Sequence, residues 1–253
     1  MSDFSVVQHY DSNEARKYDR LRWWRPPVPR RIVEISGMRP YHRVLDMACG
    51  TGNLIIALQK ICPAIYTGID MAGGMLGRAK EKLPDSTFVR GDLVKMPFAD
   101  ASFDCLEGSF FIHHIPLASL PDFFAEAWRV LDSGWFSMVT RSHEQVRDCI
   151  LGRFFPEVLE IDLARFPAIE WIEALMKSKG FREIGAESII DRHIRLDAEY
   201  VEWMRSKPIS TLDMITPAAF EAGIERIERY IRDEKPGDKN MATPFTLVFG
   251  RKM

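Results

Sequence analysis

The chain has 253 residues, of which 46% are apolar and 28% charged, and its formal net charge is −2. This composition fits a globular protein of one large domain or two small ones, and it gives no general attraction to nucleic acid or anionic membranes. The sequence has no apolar run long enough to span a bilayer, no start resembling a signal peptide, and no C-x-x-C pair among its four cysteines. We therefore expect a cytoplasmic protein with reduced thiols.

The first 25 residues are rich in aromatic and basic side chains, and prolines follow at positions 26, 27 and 29. Such a segment could stack on nucleic acid bases. We favour an amphipathic helix that packs on the domain through its rings, because the near-neutral charge gives little attraction to nucleic acid. The prolines end that helix, and a second helix is predicted over residues 30–38, ending at Gly37.

Residues 44–54 have the pattern of a buried strand, a turn with two glycines and a helix. Asp46 lies at the end of the strand, Gly50 and Gly52 lie in the turn, and the predicted helix covers residues 53–61. In a parallel sheet this order brings the amides of the helix N-terminus next to a carboxylate at the carboxyl edge. The segment therefore predicts a binding site for a small ligand.

The type of ligand follows from two acids and one missing glycine. The residues after Gly52 are Asn-Leu-Ile, so the third glycine of the dinucleotide pattern is absent. Asp46 would repel a pyrophosphate but suits a positively charged group. A second predicted strand, residues 65–70, ends in Asp70, which is placed to bind a ribose diol. Together the two acids fit S-adenosylmethionine better than NAD.

These two segments resemble the first two signature motifs of the class I S-adenosylmethionine-dependent methyltransferases, in the subgroup related to ubiquinone and menaquinone C-methyltransferases. The family usually has glycine at the position of Ala48. The resemblance implies an α/β fold with a Rossmann-like, doubly wound sheet of seven strands. That sheet is mostly parallel, with an antiparallel last strand. It also implies S-adenosyl-L-methionine as the cofactor, with S-adenosyl-L-homocysteine as the product.

The next elements extend the resemblance. A helix is predicted over residues 73–82, and Met71 and Met75 beside it could border an adenine ring or simply belong to the core. A third strand over residues 87–90 leads to Asp92 and Leu93. Asp92 resembles the family's residue that hydrogen-bonds the adenine amino group.

The fourth predicted strand, residues 104–108, follows a Met-Pro-Phe run that is very close to the family's pattern. Its end carries Glu107, Gly108 and Ser109, and the pair His113-His114 follows. In this fold the transferable methyl group points to that edge, so His113 or Glu107 is a candidate general base. The alternatives are structural histidines and a Glu107 paired with an arginine.

Ser119 and Asp122 have the spacing of a capping box at the start of a helix that runs to Leu131. The sequence around that helix resembles the family's next motif, with Trp135 in place of a glycine. A fifth strand is predicted over residues 135–140. Beyond its end, four charged or polar residues are either substrate contacts or a solvated face. They are Arg141, His143, Glu144 and Arg147.

A helix over residues 169–179 and a sixth strand over residues 181–193 follow. The family usually connects this strand to the last one, here residues 244–251, by a hairpin. About fifty residues intervene in this chain, and they predict helices over 197–206 and from Pro217 onward. We expect one structural domain over residues 39–253. The insertion at about 195–240 would be either a lid over the site or an oligomer contact. Residues 1–38 would form an N-terminal helical lid segment with Tyr10 and Tyr18 near the cofactor.

The resemblance gives a candidate set of binding residues and no metal site. The predicted cofactor-binding residues are Tyr18, Asp46, Ala48, Gly50, Gly52, Asp70, Met71, Met75, Asp92, Leu93, Gly108 and Ser109. The predicted function is methyl transfer to a small-molecule acceptor by in-line displacement, in a monomer or homodimer without a nucleic acid partner. Two alternatives stay open: an RNA or protein methyltransferase, and a non-catalytic protein that binds S-adenosylmethionine.

Overall fold

A computed structural model describes residues 24–233 and 240–253. Tyr10, Tyr18 and most of the predicted N-terminal lid lie outside the described residues. In the described part of the chain, seven strands form one sheet in the order β3-β2-β1-β4-β5-β7-β6. The strands are β1 Arg43–Met47, β2 Ile65–Asp70, β3 Thr87–Arg90, β4 Phe103–Gly108, β5 Leu131–Thr140, β6 Arg182–Arg195 and β7 Asn240–Lys252.

The strand directions confirm the predicted fold class. Strands β1 to β5 pair in parallel, whereas β7 pairs antiparallel with both β5 and β6. The chain order reverses between β1 and β4, which lie side by side in the centre of the sheet. In an open α/β sheet, a ligand binds in the crevice at the carboxyl ends of the strands at such a reversal.

Helices cover both faces of the sheet, and their positions agree with the apolar periodicity of the sequence. Ten α-helices occur in the described ranges. They are α1 Pro27–Ser36, α2 Asn53–Gln59, α3 Gly73–Lys82, α4 Leu120–Val130, α5 His143–Arg147, α6 Ile150–Phe154, α7 Pro156–Arg165, α8 Ile169–Lys179, α9 Ala198–Arg205 and α10 Pro217–Asp233. Among these described elements, no helix combines the length and the apolar character needed to cross a bilayer.

Alternating side chains of the strands produce two cores. In β1, Leu45 and Met47 pack with α4 and α8 on one face, whereas Val44 packs with α1, α2 and α3 on the other. This is the period-two alternation of a strand that is covered on both sides. The sheet is therefore buried on both faces, and its carboxyl edge carries the polar residues.

Two local predictions need correction. Ser119 has helical backbone angles and makes no side-chain cap, because a 3₁₀ turn over Leu117–Ser119 leads directly into α4. A capping box forms instead at α5, where the Ser142 hydroxyl accepts from the Gln145 amide at 3.1 Å and the Gln145 side chain accepts from the Ser142 amide at 3.2 Å. The predicted start of α1 is also too late. Pro27 is the first residue of the helix and Pro26 is its N-cap residue, because proline fits the first helical turn.

Trp135, which stands in place of a glycine of the family's motif, lies within a strand, since β5 begins at Leu131 and continues through Trp135. The essential glycine is Gly134, where a Cβ atom would collide with the Asp104 carbonyl oxygen. Trp135 packs at the sheet surface, with its ring centroid 6.2 Å from that of Phe249 and the Arg251 guanidinium 5.8 Å away.

Residues 150–165 and the insertion between β6 and β7 share a third apolar core. It contains Phe154 and Phe155 from the first segment, and Tyr200, Ile224 and Ile227 from the second. The predicted helices of the insertion agree with α9 and α10, and a 3₁₀ turn over Ser210–Asp213 connects them. The insertion is thereby fixed to the helices that follow β5, at the carboxyl edge of the sheet.

Candidate functional site

The turn between β1 and α2 has an unusual backbone conformation. Ala48, Gly50 and Gly52 have φ values of 51°, 53° and 77°, in the left-handed region that favours glycine. A Cβ atom at Gly52 would also lie 2.9 Å from Leu83 Cδ1. Ala48 adopts this conformation although it carries a Cβ atom, which explains why glycine is the family's usual residue there. The turn, residues 48–52, is called the glycine loop below.

Asp70 at the end of β2 connects the glycine loop to the start of α3. Its Oδ2 accepts from the Gly50 amide at 2.8 Å, and its Oδ1 accepts from the Ala72 amide at 2.9 Å. Burial raises the pKa of Asp70, and these backbone hydrogen bonds oppose the rise. The carboxyl group is thus held in a fixed orientation next to the loop.

A cavity of about 640 Å³ opens at this edge of the sheet. Its volume lies within the range of small-molecule binding sites. The part of its wall formed by β1, β2, β3 and β4 is called the glycine-loop part. Most of the predicted cofactor residues lie in it, namely Ala48, Gly50, Asp70, Met71, Met75, Asp92, Leu93 and Ser109.

Three predicted cofactor residues, Asp46, Gly52 and Gly108, lie beneath this wall rather than on it. Asp46 is 1% exposed, and its Oδ2 has no hydrogen-bond partner among the described residues. Burial raises the pKa of Asp46, and the nearby charge of Asp70 raises it further. A Cβ atom at Gly108 would lie 2.5 Å from the Phe111 ring and 3.0 Å from the Met47 carbonyl oxygen, so this position accommodates only glycine.

Glu107 also lies behind the cavity wall. It is fully buried in β4, and its Oε2 accepts from the Ser137 hydroxyl of β5. Burial raises its pKa, and the charge of Asp46 adds to the rise. The structure thus gives Glu107 neither the arginine partner nor the substrate contact considered from the sequence. Its partner is a serine, because its side chain points into the helix-covered interior of the sheet.

Both predicted histidines line the cavity, in a 3₁₀ turn over Ile112–His114. The His113 ring stacks on Phe166, with centroids 4.3 Å apart and an interplanar angle of 20°. The His114 Nδ1 atom lies 3.0 Å from Arg165 Nη2. Since arginine only donates, His114 Nδ1 is the acceptor in this contact.

The residues of the wall that follow β5 are called the insertion part, and Trp24 and Arg25 also line the cavity. The insertion part combines aromatic and aliphatic side chains with several charged ones, and most of its residues show no local pattern that predicts a site. Its members are Arg141, Asp162, Phe166, Ile194, Arg195, Asp197, Glu199, Tyr200, Trp203, Pro208, Ile209, Ser210, Thr211, Thr243 and Phe245.

An aromatic cluster connects the two parts. The Phe110 ring lies 5.9 Å from Trp24 in a stacked arrangement and 4.7 Å from Phe245 in an edge arrangement. Phe110 has a φ of 53°, so its backbone is strained at the cavity wall. Trp24 packs on the domain through its ring, as predicted for the aromatic N-terminal segment.

Of the four polar residues predicted after β5, only Arg141 lines the cavity. The His143 Nε2 atom lies 2.7 Å from the Phe166 carbonyl oxygen and so holds α5 to the segment after α7. Glu144 and Arg147 are exposed on α5. These two residues therefore belong to the solvated face that was the alternative interpretation.

Comparison with known proteins identifies the part of the chain that carries this geometry. Residues 44–134 match the family model of the methyltransferase domain. This segment is thus similar to the methyltransferase domain of known proteins. The match begins in β1 and ends in β5, so it contains the glycine loop, Asp70, Asp92 and the His113-His114 pair. The resemblance to class I methyltransferases noted in the sequence is confirmed.

The curated relatives agree with this assignment over the same region. A demethylmenaquinone methyltransferase from Beutenbergia cavernae is 35% identical over 111 residues, which is 44% of this chain and 44% of the relative. A demethylmenaquinone methyltransferase from Staphylococcus aureus is 35% identical over 124 residues, covering 44% of this chain and 50% of the relative. The chain thus matches half or less of the length of these relatives.

A solved structure shows the fold beyond the methyltransferase domain. It is a proposed methyltransferase of an antibiotic biosynthesis pathway in Anabaena variabilis. Its TM-score is 0.73 at 17% identity, and the match covers 88% of this chain and 96% of that one. At this identity the similarity establishes the fold alone, including the region after β5.

Proposed function

We propose that this chain is an S-adenosylmethionine-dependent methyltransferase that transfers a methyl group to a small-molecule acceptor by in-line displacement. The observation that carries the proposal is one continuous cavity with two different walls. The glycine loop and Asp70 supply a wall of the kind that holds an adenosyl ligand, and the insertion part supplies a second wall of aromatic, aliphatic and charged side chains for another molecule.

The described residues fit the cofactor. The left-handed glycine loop leaves room for close approach of a ligand to the backbone, and Asp70 would bind the ribose hydroxyls. Asp92 and Leu93 would hold the adenine, with Met71 and Met75 beside it. Asp46 would act from beneath the loop, where its buried carboxyl favours the cationic end of the ligand.

The bound cofactor supplies a methyl group that is already activated by its sulfonium. The protein's part is therefore to align the acceptor and to exclude water, and the aromatic walls serve both purposes. If the acceptor must lose a proton, His113 is the candidate base. His114 is less suited, because its Nδ1 already accepts from Arg165.

A small-molecule acceptor is supported by two observations. The relatives at 35% identity are named for demethylmenaquinone, which is a small molecule. In addition, the insertion closes over the sheet edge, since Tyr200, Trp203 and Thr211 line the cavity. We therefore assign the insertion the role of a lid. The insertion part lies outside the matched segment, so the relatives' own acceptor does not carry over to this chain.

The experiment that tests this proposal is transfer of labelled methyl groups from S-adenosylmethionine. The purified chain is incubated separately with a metabolite extract, with total RNA and with unfolded protein extract. We expect label in the metabolite fraction only, and its loss in Asp70→Ala but not in Asp85→Ala, an exposed acid remote from the cavity. Label in RNA or protein, or no transfer to any fraction, would overturn the proposal.

A further inference from the structure

In a methyltransferase with the proposed function, the insertion part recognises the methyl acceptor, and the kind of acceptor follows from the residues of this wall. Much of this wall is apolar, which suits the body of many molecules and discriminates poorly between them. Five charged residues interrupt it, namely Asp162, Arg195, Asp197, Glu199 and Arg141. Of the two arginines, Arg195 pairs with Asp197, whereas Arg141 has no ion-pair partner among the described residues. Arg141 directly follows Thr140, the last residue of β5, and lines the cavity at the carboxyl edge of the sheet.

The contacts of Arg141 leave most of its binding capacity unused. Its Nη1 donates to the Cys149 sulfur at 3.6 Å, and its guanidinium lies 5.6 Å from the centre of the Phe245 ring. Within residues 24–233 and 240–253, no carboxylate forms an ion pair with it. By contrast, Arg43 pairs with Asp104 at 2.7 Å, and Arg129 pairs with Glu126 at 2.7 Å.

The acids near Arg141 do not take the place of such a partner. Asp162 is 5% exposed, and its Oδ1 accepts from the Thr211 hydroxyl at 2.7 Å. Burial raises its pKa, against the opposing charges of Arg141 and Arg165. Arg141 and Arg165 thus both act on the Asp162 carboxyl group, which does not form an ion pair with Arg141.

The acids at the rim are also engaged or exposed. Asp197 accepts from the Tyr200 amide at 3.1 Å as the cap of α9, and it lies 3.7 Å from Arg195. Glu199 is exposed in the first turn of the same helix. Neither of these two acids forms an ion pair with Arg141, and Arg141 itself lines the cavity.

We propose that Arg141 binds an anionic oxygen group, a carboxylate or a phosphate, on an acceptor whose apolar body lies between Phe245 and Phe166. A guanidinium is suited to this task because its parallel N–H groups match the geometry of either anion. The Phe245 ring beneath the guanidinium holds it in place by a cation–π contact. Arg141 is thus the specificity-determining residue of the insertion part.

The test uses small probes on the full chain saturated with S-adenosylhomocysteine. Benzoate and phenyl phosphate are titrated against the neutral benzamide by ligand-observed NMR. We expect at least one anion to bind the wild type about tenfold or more tightly than benzamide. Arg141→Met should lose this preference, Arg141→Lys should keep part of it, and the matched control Arg147→Met, on exposed α5, should keep all of it.

Three results would overturn the inference: binding of benzamide as tight as that of both anions, no binding of either anion, or an Arg141→Met variant that keeps the preference. If Arg141→Met does not fold, the proposal is still tested by the Arg141→Lys variant and by the preference of the wild type for the anions over benzamide. The two anions distinguish a carboxylate from a phosphate. Failure of the wild type to bind S-adenosylhomocysteine would instead refute the proposed function, so the two failures are distinguishable.

Discussion

Asp46 and Glu107 occupy paired positions in the adjacent parallel strands β1 and β4, and both carboxyl groups are buried. One oxygen of each, Asp46 Oδ2 and Glu107 Oε1, has no hydrogen-bond partner among the described residues. Two buried carboxylates in adjacent strands repel each other, and each lacks full solvation. The pair is therefore protonated more readily in the folded protein than in the unfolded chain.

This arrangement predicts that Glu107→Gln stabilises the protein at high pH. The pKa of Glu107 is raised on folding. The destabilisation caused by ionising this buried carboxyl group is therefore absent below the unfolded pKa of about 4.3, and it grows as the pH rises above that value. We expect the variant to raise the free energy of unfolding by about 1–3 kcal/mol at pH 8, and by less at pH 5. Denaturant unfolding at both pH values measures this difference.

Glu126→Gln is the matched control, because the pKa of Glu126 is lowered by its hydrogen bond to Arg129. Its stabilising contribution is present above the unfolded pKa and is lost as the pH falls through the folded one. Glu126→Gln should therefore lower the free energy of unfolding at pH 8, and it should lower it by a smaller amount near pH 4. If Glu107→Gln also lowers the free energy of unfolding at pH 8, the ionised Glu107 side chain does not destabilise the folded protein as expected.

Ala48→Gly should stabilise the protein, because Ala48 has a φ of 51° in the glycine loop. We expect the free energy of unfolding to rise by about 1 kcal/mol, because relief of the strained backbone outweighs the greater freedom of glycine in the unfolded chain. The expected rise in Tm is about 2–4 °C. Thermal unfolding measures it, and Ala125→Gly on the exposed face of α4 is the control. The control should lose about 1 kcal/mol, and an equal loss in Ala48→Gly would contradict the account.

His113→Gln should separate catalysis from cofactor binding if the acceptor loses a proton. We expect kcat to fall by about 10²–10⁴-fold with little change in the affinity for S-adenosylhomocysteine. His114→Gln should have the smaller effect on kcat, since its Nδ1 is held by Arg165. Steady-state kinetics with an acceptor from the metabolite fraction measure both variants. Equal rates for His113→Gln and the wild type would exclude His113 as the base.

The fold and the glycine-loop part of the site could be predicted because their signals are local. Asp46 in the first strand, the glycines after it and Asp70 at the end of the second strand lie within 25 residues. Parallel pairing of these strands then brings Asp70 to the glycine loop, where it accepts from the Gly50 amide. A short-range sequence pattern and the regular order of parallel strands are therefore sufficient to predict the glycine-loop part.

The insertion part could not be predicted, because it depends on contacts between distant segments. Phe245 of β7 meets Phe110 after β4, and Thr211 donates to Asp162 across 49 residues. The helices α5 and α6 have five residues each, too few for an apolar period to be visible. The burial of Glu107 was missed for a related reason, since its serine partner lies on another strand.

The most direct test of the central claim is calorimetric titration of the purified chain with S-adenosylmethionine, S-adenosylhomocysteine and NAD. The account predicts micromolar binding of both adenosyl ligands, no binding of NAD, loss of binding in Asp70→Ala, and normal binding in Asp85→Ala. The Asp70 carboxyl is the deciding group because it lines the cavity and holds the glycine loop. Folded protein that binds neither adenosyl ligand would contradict the claim that this cavity is a cofactor site.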